Sequence, residues 1–107
     1  MVGATNQQVL DDLRKLKAEL ARRYDLRHFI LFGSRARGQE LLTSDVDLIV
    51  VSDDFRSIKF RRRPELVLQY WSDTVDLEVI CYTSEEFEAL KGRIGIVRHA
   101  AAEGMEV

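Results

Sequence analysis

Two stretches, VDLIVV (46–51) and VDLEVICY (75–82), constrain the fold of this chain more than any other feature. Each alternates with period two, the repeat of a strand whose successive side chains point to opposite faces. In the first, Val46, Leu48 and Val50 face one side, while Asp45, Asp47, Ile49 and Val51 face the other. In the second, Asp76, Glu78 and Ile80 share a face, and Leu77, Val79 and Cys81 share the opposite one. Both runs therefore carry acids at the mouth of an apolar strand, where an uncompensated carboxylate is costly. Such acids either lie at an exposed edge or hold something positive.

The rest of the chain supplies helices to cover these strands. Val9, Leu13, Leu16, Leu20 and Tyr24 step by three and four along one helix face. Thr5 and Gln8 fit a capping box at its start, and the helix is expected to end near Asp25. His28 to Phe32 reads as a short buried strand, broken by Gly33-Ser34. Ser34 can cap a short helix carrying Arg35 and Arg37 and ended by Gly38. Residues 52–63 read as a loop, with Arg61, Arg62 and Arg63 read as solvated ahead of the alternative that they contact phosphate or an acidic partner face, and Pro64 opens a helix through Trp71. Tyr70 and Trp71 are read as core residues of that helix. Thr83 and Glu86 form a second capping box, for a helix with Phe87 and Leu90, and residues 93–107 read as a short helix and a tail. Strands alternating with helices predict an α/β (α+β) fold, a small mixed sheet with helices packed on it, in one domain over 1–107.

Composition narrows the function. The net charge is -2, from 16 basic and 18 acidic residues, so no global basic field argues for nucleic acid. The lone Cys81 forms no internal disulfide and reads as a buried reduced thiol. His28 and His99 have no clustered partners and read as structural. The first residues lack a signal-peptide pattern and no apolar run approaches a membrane span, which predicts a cytoplasmic protein.

GSRARG (33–38) has the glycine spacing of a phosphate loop, but Gln39-Glu40 stand where a P-loop needs Lys and Ser/Thr. As a plain strand-to-helix turn it needs no ligand. After a strand it also offers backbone N–H groups and a hydroxyl to an anion, with Arg35 and Arg37 able to bond phosphate. Asp45 and Asp47 fall on one face and can share cations. An acid from the second strand, Glu78 or Asp76, would complete a set of hard oxygen ligands suited to Mg²⁺. Two such ions can clamp an in-line displacement at phosphorus.

The combination of LFGSRARG, SDVDLIVVSDDF and EVICYTSEEFEAL resembles the nucleotidyltransferase signature of the DNA polymerase beta superfamily. The short chain is similar to its minimal nucleotidyltransferases. The resemblance implies Gly33 and Ser34 at the nucleotide phosphates, with Asp45 and Asp47 as catalytic metal ligands. It selects Glu78, five residues before the threonine of the YT turn, as the third acid, with Asp76 on the same face as the alternative. Mg²⁺, expected as two ions, and ATP as the nucleoside triphosphate follow from it. So does a HEPN-domain protein as partner and AMP acceptor, in a homo- or hetero-oligomer, with this chain as antitoxin. A competing expectation is a noncatalytic antitoxin that neutralises its partner by docking. Nucleic-acid binding ranks below both on net charge.

Overall fold

The computed structural model describes residues 6–32, 46–92 and 105–107. Helix α1, Asn6–Arg23, places Val9, Leu13, Leu16 and Leu20 in the core, as their spacing predicts. Its solvent face is laced by Asp11–Arg14 and by Glu19 with Arg22 and Arg23, and those last two arginines complement the helix dipole. Thr5, the expected cap, lies outside the described residues. Tyr24 follows the helix, and its backbone N–H closes the last turn on the Leu20 carbonyl.

Four strands form one mixed sheet in the order β3-β2-β1-β4, where β1 is Leu26–Phe32, β2 Val46–Ser52, β3 Leu77–Tyr82 and β4 Met105–Glu106. β1 runs antiparallel to β2 and to β4, whereas β2 and β3 are parallel. A parallel pair needs a crossover connection, and the segment after β2 provides it. The residues expected as a loop there are two 3-10 turns, Asp53–Ser57 and Phe60–Arg62, followed by α2, Arg63–Leu68. The Ser52 hydroxyl caps the first turn, and Phe55 within it is fully buried. That burial turns a polar-looking loop into part of the core.

α2 begins one residue before Pro64 and stops at Leu68, short of the expected Trp71. Trp71 is buried all the same, and its indole N–H donates to the Val75 carbonyl at 2.8 Å. The second capping box is present: Thr83 accepts from the Glu86 N–H, and the Glu86 carboxylate accepts from the Thr83 N–H, starting α3 at Ser84–Lys91. The expected helix in the C-terminal segment falls mostly on residues 93–104, outside the described residues. Met105 and Glu106 pair with Leu31 and Ile30 as a strand, where a tail was expected.

The two faces of the sheet separate as the period-two alternation predicts. Val46, Leu48, Val50, Leu77, Val79 and Cys81 join Phe29, Leu31, α1, Phe55, Val67 and Trp71 in one cluster. Ile49, Val51, Ile30 and Tyr82 join Phe87 of α3 in a second, with Ile80 and Leu90 packed against it. β2 lies between these two clusters, so every residue in it is buried except Asp47, which is half-buried. A central strand covered on both sides explains the nearly continuous apolar run.

Candidate active site

The end of the sheet where β1 stops and β2 begins carries the acids. In the parallel ladder Asp47 is the Cα partner of Glu78, and in the antiparallel ladder it is the partner of Phe32. Partners in a ladder share a face, so the Asp47 and Glu78 side chains leave the sheet on the same side, from strands about 4.8 Å apart. Ile49 and Ile80, the next pair on that face, put an apolar floor beside the carboxylates. Glu78 is exposed at this end, which leaves the site open to a ligand from solvent.

Asp76, the alternative third acid, lies one residue before β3, which begins at Leu77, and is exposed. Its carbonyl accepts from the Val46 N–H at 2.9 Å, which pins the β2 entrance to the β3 entrance. Gly33, Ser34, Arg35, Arg37 and Asp45, all expected at the site, lie outside the described residues. So does His99.

The turn leading to β3 is heavily constrained. Asp12 of α1, Ser72 and Thr74 form a tight polar cluster, with Ser72 Oγ 3.1 Å from the Asp12 carboxylate and 2.6 Å from Thr74 Oγ1, and the two hydroxyl protons are shared among these contacts. Asp73, between Ser72 and Thr74, has φ 61, a left-handed conformation that Asp tolerates better than most residues. The strand bearing Glu78 is thus fixed in register before it begins.

One functional-looking run is corrected by the structure. Of the arginines read as solvated, Arg61 and Arg62 are exposed, but Arg63 is buried. Arg63 Nε donates to the Ile58 carbonyl at 2.9 Å, and Nη1 donates to Glu86 Oε1 at 2.6 Å and to the Cys81 carbonyl at 3.3 Å. A buried guanidinium needs such partners. Burial pushes the Glu86 carboxyl upward, but the Arg63 hydrogen bond and the cap bonds outweigh it and hold the pKa below its ordinary value. The Cys81 thiol is pushed up to about 12 by burial, which removes it from nucleophilic chemistry at neutral pH. His28, read as structural, has its Nδ1 2.6 Å from Glu106 Oε1, toward the end of β1 opposite the acids.

Among the described residues no group of three or more His, Cys, Asp or Glu could hold a metal ion. The donor chemistry of the Asp47–Glu78 pair suits a divalent cation that prefers oxygen and keeps water or phosphate in its remaining positions. A third carboxylate from the sequence, Asp45, precedes Val46 directly. None of the helices among the described residues is long and apolar enough to cross a membrane.

Residues 13–101 match the family described as nucleotidyltransferase domain. Two relatives from Methanocaldococcus jannaschii carry the name "putative protein adenylyltransferase". MJ0126 is 33% identical over 75 residues, covering 70% of this chain and 74% of its own. MJ1379 is 32% identical over 81 residues, covering 76% of this chain and 80% of its own. The crystal structure of a "putative nucleotidyltransferase" from Sulfolobus solfataricus shares the fold, with a TM-score of 0.66 at 24% identity over 94% of this chain and 80% of that one.

Proposed function

Because this chain belongs to the nucleotidyltransferase domain family, we propose that it moves AMP from ATP to a hydroxyl on a protein, with Asp47 and Glu78 as working carboxylates. The observation that carries this reading is their parallel register, which puts two acids from adjacent strands on one face, with Glu78 exposed. The names of the Methanocaldococcus jannaschii relatives support AMP as the group and a protein as the acceptor.

In this reading the acceptor oxygen attacks the α-phosphorus, a new P–O bond forms, and the bond to the β-phosphate oxygen breaks. Pyrophosphate leaves with that bond's electrons, and the acceptor proton passes to a carboxylate, a role we assign to Glu78. Asp45, Asp47 and Glu78 would hold Mg²⁺, with Asp76 as a second-choice ligand because it lies outside the strand. When bound, the ions supply charge neutralisation at the phosphates and a lower pKa for the acceptor hydroxyl. Gly33 and Ser34 follow β1 directly in the sequence and are assigned to the triphosphate, with Arg35 and Arg37 as additional phosphate donors. Asp47 itself is held by a central strand buried on both sides, so its backbone cannot drift during the reaction.

The acceptor proposed is a HEPN-domain protein, with this chain as its antitoxin in a hetero-oligomer, an assignment that rests on the resemblance of the motifs. The test is intact-mass spectrometry of a candidate HEPN-domain partner, after incubation with this chain, ATP and Mg²⁺. A gain of one AMP moiety, abolished by EDTA and by Asp47→Asn, is the expected result. Binding of the two proteins with no mass change, and neutralisation retained by Asp47→Asn, would replace the enzyme with a docking antitoxin.

A further inference from the structure

Nearly every described lysine and arginine has a bonding partner. Arg14, Lys15, Arg22, Arg23, Arg27, Arg56, Arg63 and Lys91 each pair with a carboxylate, and Lys17 donates to the Val107 carbonyl. Lys59, Arg61 and Arg62 are the exceptions: their side chains have no ion pair or hydrogen bond among the described residues. They flank Phe60, which at 51% is more exposed than any other large apolar side chain among the described residues. Solvated cations in a mobile loop would not need explanation, but this run is a 3-10 turn whose centre is anchored. The Phe60 ring lies 5.6 Å from the Tyr82 ring, and the buried Arg63 guanidinium lies 5.6 Å from it. A half-exposed aromatic held in place between cations is the composition of an interface anchor.

The position of the patch decides what it would meet. Tyr82 shares its sheet face with Ile80 and, one pair further, with Glu78. Four residues of strand separate Tyr82 from Glu78, about 13 Å at the rise of a strand. We propose that Lys59, Phe60, Arg61 and Arg62 dock an acidic protein segment bearing an apolar side chain, part of the acceptor whose hydroxyl reaches Asp47 and Glu78. This rests on the reading that the acceptor is a protein. A nucleic acid fits less well, because the net charge is -2 and the unpaired cations form one local patch rather than a basic stripe. A peptide can place its acids on the patch and a neutral hydroxyl at the carboxylates. The overall charge of -2 makes the patch a local exception, able to select such a segment.

The experiment is fluorescence anisotropy at low salt, without nucleotide, using a labelled peptide with a Glu/Asp-rich run, a Phe and a Tyr. Wild type binds saturably, and more weakly as salt is raised. Arg61→Glu/Arg62→Glu lowers affinity at least ~10-fold, with an unchanged thermal midpoint, while the control Arg14→Glu/Lys15→Glu stays within about twofold of wild type. Absence of saturable binding, equal binding by the patch variant, an equal loss in the control, or tighter binding of a single-stranded oligonucleotide would each overturn the proposal. No transfer step enters this readout. Failure of AMP transfer to the HEPN-domain protein would refute the enzymatic reading and leave the docking surface to be judged on this binding alone.

Discussion

Arg63 Nη1 donates to Glu86 Oε1 at 2.6 Å, joining the start of α2 to the first turn of α3 across the edge strand β3. The guanidinium is buried while the carboxylate is 41% exposed, so most of the desolvation falls on Arg63. Glu86→Ala removes one partner of a buried cation together with half of a capping box. The expected loss of stability is about 2 kcal/mol in denaturant unfolding. Arg63→Met, which removes the charge and keeps the stem, should cost less than Arg63→Ala. A double-mutant cycle that found no coupling between the two positions would refute the tie.

The same pair sets an acid dependence. Glu86 has a folded-state pKa below its ordinary value, despite burial pushing the other way, because of Arg63 and the Thr83 cap. Its contribution to stability is complete above the unfolded glutamate value of about 4.3 and is lost as pH falls through the folded one. Asp53 acts in the same direction, lowered chiefly by the Ser84 N–H that donates to it. Thermal midpoints should therefore fall as pH is taken below about 4, and fall less steeply in Glu86→Gln than in wild type.

The Ser72-Asp73-Thr74 turn gives a backbone prediction. Asp73 has φ 61, where a β-branched side chain is strained and glycine is not. Asp73→Val should cost about 1–2 kcal/mol, and Asp73→Gly should be neutral or slightly stabilising. Asp12→Ala, which leaves the Ser72 and Thr74 hydroxyls without their acceptor, should cost about 1 kcal/mol. Urea midpoints of the variants check all three.

Cys81 is buried and its thiol is pushed up to about 12 by desolvation, with Arg63 opposing. Iodoacetamide at pH 8 should leave the native protein unmodified and label it quickly once it is unfolded. Rapid labelling of the native state would show that the core around β3 opens far more readily than its packing implies.

Which parts of this arrangement a reader of the sequence can see follows from how local their causes are. The faces of β2 and β3 are legible because period two is a property of each strand by itself, and both clusters fall as the alternation requires. The register between the strands is not local. A slip of two residues keeps every face intact and would set Asp76 opposite Asp47, so the sequence leaves Glu78 and Asp76 open; the observed ladder pairs Asp47 with Glu78. Arg63 is hidden for a similar reason. In a run of three arginines, the buried one is chosen by Cys81 and Glu86, 18 and 23 residues further on. β4 depends on β1, more than seventy residues earlier in the chain, and two residues carry too little pattern to announce a strand.

Asp47 and Glu78 carry the account, and rates of label transfer from α-labelled ATP to the proposed HEPN-domain acceptor test it most directly. Wild type, Asp47→Asn, Glu78→Gln and Asp76→Asn would be compared at saturating Mg²⁺. The account predicts losses of at least ~100-fold for Asp47→Asn and for Glu78→Gln, a much smaller loss for Asp76→Asn, and no transfer from γ-labelled ATP. Wild-type rates in Glu78→Gln, with the loss falling on Asp76→Asn, would contradict it.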